Sequence, residues 1–197
     1  MDESIPLRRQ AWAFFASAFN ELPTIAFVQS LREAAAMEET SCLANREFVA
    51  WLSALSDQDA LDEIGKDRAR LLRYVDSFCI NPPYESLYAE KSEQAVLSDL
   101  HAFFLEVGFE PTGELHEPAD YIGMEIAFLE ECCAQAVQAL DAGDESRVER
   151  LMQIHDDFLT RHPGSWALEY AHNMYNAATT PFYRLVAELL IASMSNA

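Results

Sequence analysis

Glycine is scarce in this chain, with 6 residues in 197, and strict alternation of apolar and polar residues is almost absent. Sheets and their tight turns draw on both, so a β fold is disfavoured. Basic residues are scarce too: 13 Lys and Arg stand against 33 Asp and Glu, a formal net charge of −20. A surface that acidic repels phosphate, which argues against DNA or RNA as a ligand. It attracts a basic peptide, in a manner that weakens with salt, or it serves only to keep the protein dispersed. No apolar run approaches the ~18 residues that cross a bilayer, so no stable membrane insertion is expected. The richest runs, Ala11 to Phe19 and Val186 to Met194, suit core helices. The N-terminus, Met1 to Pro6, lacks the charged start and apolar run of a secretion signal. Cys42, Cys79, Cys132 and Cys133 include no pair at the C-x-x-C spacing of a zinc or redox site. Reduced thiols in the cytoplasm are the simplest reading.

Catalytic motifs are missing as well. There is no G-x-x-x-x-G-K phosphate loop and no G-x-S-x-G elbow. The serious enzyme alternative is a di-iron helical bundle, which needs two E-x-x-H motifs on separate helices and two further glutamates. The sequence holds one E-x-x-H, Glu169 to His172, and no second. His172 reads as a helix-surface or interhelical residue, and His155 and His162 as surface or helix-end residues. The expectation is no enzyme, no cofactor and no metal site.

What is present is helical periodicity throughout and enough apolar residues, 50%, to bury a core. Helices are predicted over Pro6–Asn20, from Pro23 to Glu38, over Leu43–Leu55, and from an Asp57 cap to Phe78. The run Ile80-Asn81-Pro82-Pro83-Tyr84-Glu85 is a loop, because successive prolines lack donors and disfavour helix before them. Further helices follow over Ser92–Val107, from Pro118 to about Gly143, and over Asp144–Arg161, Ser165–Ala178 and Pro181–Ser195. The fold class is all-α: a single compact bundle of roughly nine helices over residues 1–197, with a possible sub-domain hinge near residues 80–84.

One segment carries more than its composition suggests. In Glu117-Pro118-Ala119-Asp120-Tyr121-Ile122-Gly123-Met124-Glu125-Ile126, Pro118 reads as the first helical residue and Glu117 as the N-cap. Asp120 then falls in the first turn, where free amides and the helix dipole favour a carboxylate. Ile122, Ile126, Leu129, Cys133, Ala136 and Leu140 form a stripe to be buried. Gly123, inside a helix, costs about 1 kcal/mol against alanine, so something must approach it closely. That is a neighbouring helix or a bound peptide.

The same segment resembles the E-P-x-D-H-x-G-x-E-L-x-F-[ML] signature of the TorD/DmsD family of redox-enzyme maturation chaperones, to which NarJ-type chaperones are related. Glu117, Pro118, Asp120, Gly123, Glu125, Phe128 and Leu129 match; Tyr121 stands where the family has histidine. Asn81 to Tyr88 is similar to the family's P-P-W-x-S-V-[YW] loop, with Tyr84 for tryptophan and Leu87 for valine. His162-Pro163-Gly164-Ser165-Trp166 resembles its H-L-P-x-W break, and Pro181 to Ala187 its terminal F-Y-x-x-[LV]-A helix. The motifs run from Ile80 to the C-terminus; the earlier chain shares only helical character.

The resemblance implies a TorD/DmsD-like fold and a cytoplasmic chaperone, monomer or homodimer. Its partners would be the apo catalytic subunit of a molybdopterin enzyme of the dimethyl-sulfoxide-reductase type and that subunit's twin-arginine signal peptide. An alternative is a chaperone that binds the client body and ignores the leader. The client-binding residues implied are Pro82, Pro83, Tyr84, Ser86, Tyr88, Glu117, Pro118, Asp120, Tyr121, Gly123 and Glu125. Carboxylates among them suit guanidinium groups, and the aromatic rings suit an apolar leader.

Overall fold

The computed structural model describes residues 4–36, 45–73, 80–110 and 117–195. Among them are nine α-helices and no strand: α1 (Ser4–Asn20), α2 (Ile25–Ala36), α3 (Arg46–Ala54), α4 (Asp57–Leu72), α5 (Glu93–Val107), α6 (Ile122–Asp141), α7 (Glu145–Arg161), α8 (Pro163–Ala177) and α9 (Pro181–Met194). A short 3₁₀ turn covers Glu85–Leu87. The all-α class expected from periodicity is the class observed. α3 begins at Arg46 behind an Asn45 cap rather than at Leu43, because the Asn45 side chain accepts from the Glu47 and Phe48 amides, and α4 ends at Leu72 with Arg73 as its C-cap, short of Phe78. The expected reach of α2 to Glu38 falls outside the described residues, as do Cys42 and Cys79. No helix among the described residues is long and apolar enough to cross a membrane.

Helix boundaries follow local chemistry. Ser56, not Asp57, is the cap of α4: its hydroxyl accepts from the Asp59 amide, and Asp57 is the first helical residue. Ser92 and Asp144 cap α5 and α7 in the same way. Gly108 ends α5 at φ +70°, with the Phe109 amide reaching back to the Phe104 carbonyl, a turn that glycine enters without strain. Pro163 begins α8 directly after α7, where its missing donor costs nothing.

The chain forms two compact units. The first holds Met1–Glu21, Pro83–Leu168 and Met194–Ala197. Its centre is α6, packed between α1 and α7. The predicted stripe is too narrow. Met124, Glu125, Phe128, Cys132 and Ala139 are buried beside Ile122, Ile126, Leu129, Cys133 and Ala136, whereas Leu140 is half-buried. A helix apolar nearly all round is a central helix. Phe103, Phe104, Phe109 and Phe158 pack around Phe128 of α6, with the Phe128 and Phe158 ring centroids 4.2 Å apart. Burial pushes both α6 thiols up, Cys133 to about 12, which leaves them poor nucleophiles.

The second unit holds Leu22–Pro82 and Glu169–Ser193. Two ionic devices organise it. Arg32 of α2 donates to Asp57 Oδ1 at 2.8 Å and to the Leu52 and Leu55 carbonyls at 2.6 and 2.7 Å, so one guanidinium closes the end of α3 and the start of α4. Asp67 of α4 accepts from the Thr179 and Thr180 amides, from the Thr180 hydroxyl and from Arg70, and thereby fixes the start of α9. Arg70 also donates to the Ala177 carbonyl at the end of α8.

Burial alone would raise the Asp67 carboxyl, but its donors outweigh that and hold it below the ordinary 3.8. A depressed folded value means stability present at neutral pH and lost as pH falls through that value. Asp67→Ala is therefore expected to lower stability by about 2–3 kcal/mol at pH 7, because donors are left buried and unmatched. Urea unfolding at pH 7 and near pH 3 checks this: the gap between wild type and variant should shrink at the acid end.

Candidate functional site

The two sequence stretches that carry the family motifs meet in space. Tyr84 and Tyr121 form an isolated antiparallel bridge. The Glu85 amide donates to the Asp120 carbonyl at 2.8 Å, and the Ile122 amide to the Pro83 carbonyl at 2.9 Å. The rings of Tyr84 and Tyr121 lie 5.5 Å apart, and the Tyr84 hydroxyl donates to Glu117 Oε2 at 3.0 Å. Asp120 Oδ2 accepts from the Ser86 hydroxyl at 2.6 Å and from the Ser86 amide at 3.3 Å. Asp120 is thus an acid that holds the amide end of the 85–87 turn.

This corrects the helix-start reading. Pro118 does not open α6; residues 118–120 form a turn, Tyr121 is the N-cap, and Ile122 is the first helical residue. The dipole that Asp120 serves is that of the 3₁₀ turn, not the one on its own chain segment. Sequence spacing points to the nearest helix, and tertiary pairing gives the carboxylate another.

Gly123 is explained inside the protein. A Cβ placed there would collide with the Asn20 side chain of α1 and lie 2.7 Å from Tyr121 Cε1. Asn20 Nδ2 donates to the Gly123 carbonyl at 2.8 Å, and the buried Tyr121 hydroxyl donates to the Phe19 carbonyl at 2.8 Å. The close approach belongs to a neighbouring helix rather than to a peptide. Tyr121 needs no charge for this role: a ring and a donor suffice.

Glu125, 0% exposed, lies in the interior of this unit. Trp166 Nε1 donates to its Oε2 at 3.1 Å, and the Glu85 carboxyl is a close neighbour. Glu85, 2% exposed, also contacts His162 Nδ1 at 2.9 Å. Desolvation first, then the charge of Glu85, push the Glu125 carboxyl well above the usual range, against the pull of the Trp166 donor.

His162, expected at the surface, is 1% exposed, packed against Phe158 and Phe103. His155 is also buried: it accepts from Trp12 Nε1 at 2.9 Å and faces Asp156 through Nδ1 at 2.8 Å. Burial holds His155 below its ordinary value, so it is neutral. His162 is the C-cap of α7, as a helix-end reading expects, whereas His155 lies inside that helix; both turn inward because aromatic partners receive them. His172 is exposed on α8. Among the described residues, no group of three or more His, Cys, Asp or Glu could hold a metal ion.

The expected site residues therefore sort by burial. Pro83, Asp120, Tyr121, Gly123 and Glu125 are buried; Pro82, Tyr84, Ser86, Tyr88 and Glu117 are half-buried; Pro118 is exposed. Tyr88 stacks on Trp166 at 5.2 Å. Glu85, His162 and Trp166 join this cluster without having been expected in it. Each lies within a stretch that resembles a family motif, and that is the signal by which sequence could have found them. Leu87, a large apolar residue 52% exposed beside the bridge, is a further unexpected member.

Gly123→Ala is expected to cost about 1–3 kcal/mol, because Asn20 and Tyr121 must yield. Gly65→Ala, at a helical glycine with nothing within 4 Å of an added methyl, should instead add about 0.5–1 kcal/mol. Thermal melts of the two variants should move in opposite directions.

The model of the nitrate reductase delta subunit family matches residues 28–171. The chain is 30% identical over 113 residues to the chaperone protein TorD of Photobacterium profundum, a stretch covering 56% of this chain and 51% of that protein. It is 27% identical over 199 residues to the chaperone protein TorD of Vibrio parahaemolyticus, covering 94% of this chain and 90% of the other. The first match thus spans about half of its relative, and the second most of its own. The family match reaches well before Ile80, where recognisable motifs begin. This chain belongs to the nitrate reductase delta subunit family, beside relatives that are named as chaperones and not as enzymes.

Proposed function

We propose that this protein is a cytoplasmic redox-enzyme maturation chaperone that binds the twin-arginine signal peptide of a molybdopterin oxidoreductase of the dimethyl-sulfoxide-reductase type, and holds its apo form until the cofactor is inserted. The observation that supports the reading is the Tyr84–Tyr121 bridge. It joins the two motif stretches into one small surface, on which Tyr84, Ser86, Tyr88 and Glu117 are half-exposed and Leu87 and Pro118 exposed. Rings and an exposed leucine offer contact area to an apolar helix. Glu117, together with a net charge of −20, offers complementarity to arginine. Asp120 and Glu125 support this surface from beneath, through Ser86 and Trp166.

The test is a titration with twin-arginine leader peptides from molybdoenzymes encoded in the same genome, at low and moderate salt. Binding that weakens with salt is expected. Leu87→Asp should reduce affinity about tenfold, or ~1.4 kcal/mol, with the thermal midpoint unchanged. Asp120→Ala should weaken binding and also loosen the 85–87 turn. If no leader binds, yet a leaderless apo client is retained in a pull-down, the client body is the ligand and the leader assignment fails.

A further inference from the structure

Glu125 and Glu85 pose a problem of charge. Both are buried, 0% and 2% exposed, and the two carboxyls are close neighbours. Two ionised carboxylates cannot share such a contact in a dry site. Glu125 Oε2 is used by the Trp166 indole, while no donor is aimed at Oε1. A buried carboxyl oxygen that lacks a donor, on a side chain with another carboxyl as neighbour, is placed to be a donor itself.

The surroundings leave one proton to be held by the pair. Asp120 adds a further negative charge from the 118–120 turn. His162, at the end of α7, meets Glu85 through Nδ1, and its Nε2 has no hydrogen-bond partner, with Asp99 Oδ2 of α5 at 3.7 Å. Asp99 is itself paired with Arg161 at 2.8 Å and Lys91 at 3.9 Å, so the nearby cations are already engaged.

We propose that Glu125 carries a proton which it donates to Glu85, and that this shared proton is a latch holding the Pro83–Tyr88 loop against α6 and α8. Glu85 is the loop's buried anchor: it lies in the 3₁₀ turn, its amide makes the bridge to Asp120, and its carbonyl receives the Tyr88 and Ala89 amides. Loss of the proton sets two buried negative charges against each other, and the relief is to swing Glu85 out to water. That motion carries Tyr84, Leu87 and Tyr88 with it. The latch needs no client; only its use in client exchange rests on the function proposed above.

The sign follows from linkage. A carboxyl whose folded value is raised stabilises the closed loop at low pH, and this is lost as pH rises from the ordinary 4.5 toward the folded value. Amide hydrogen exchange of the full chain, without client, reads the loop directly through the amides of residues 85–89, after correction for intrinsic rates at each pH. Between pH 5 and 8 the opening constant of wild type should rise by up to about tenfold per pH unit. Glu125→Gln keeps the shape and donates an N–H to Glu85 without a titrating proton, so its loop should stay closed with no pH slope. Glu85→Gln should abolish the slope too, whereas His162→Gln should retain it. A flat wild-type profile overturns the latch, as does a slope that survives in both glutamine variants or disappears with His162.

Discussion

Two backbone hydrogen bonds, from Glu85 to Asp120 and from Ile122 to Pro83, set the geometry of the whole motif region. They join segments 37 positions apart at Tyr84 and Tyr121, where the regular elements among the described residues are otherwise helical. A single bridge of this kind is weak alone, since each such bond contributes about 1 kcal/mol net. It persists because side chains on both sides of it are committed: Asp120 to Ser86, Tyr84 to Glu117, Tyr121 to the last turn of α1, and Glu85 to His162 and Glu125. Together with the bridge they fix the loop on the start of α6.

This arrangement separates two kinds of motif residue. Gly123, Tyr121, Asp120 and Glu125 face inward and determine how the start of α6 seats against α1, the 85–87 turn and α8. Tyr84, Ser86, Leu87, Tyr88, Glu117 and Pro118 reach the surface. A motif can therefore identify a family through buried residues as well as exposed ones, because the surface it presents depends on buried neighbours for its shape. Tyrosine in place of histidine at position 121 is compatible with that division, since its hydroxyl donates to the Phe19 carbonyl.

Much of the architecture is legible locally. Helix periodicity, serine and aspartate caps at Ser92 and Asp144, glycine at 108 and proline at 163 and 181 act over a few residues, and they appear where short-range chemistry places them. Local reading fails where a side chain serves an element distant in sequence. Asp120 has the spacing of an acid for the helix that follows it and in fact holds a turn 34 positions earlier. His155 and His162 have the look of surface residues because histidine near a helix end is commonly exposed, yet Trp12 and Glu85 draw them inside. Glu125 resembles an ordinary first-turn acid, with nothing in its sequence neighbours to announce Glu85 or Trp166.

Residue type and spacing were enough to read the helical class, several helix ends and, through the order of the motifs, the family. Those properties depend on residue type and spacing, which hydrogen bonding within one helix can enforce. Packing was needed to settle which acids are buried, which helix approaches Gly123, and that the 83–88 and 117–125 stretches meet. These depend on contacts between residues far apart in the chain, and only packing brings such groups close enough for burial and charge to act on them.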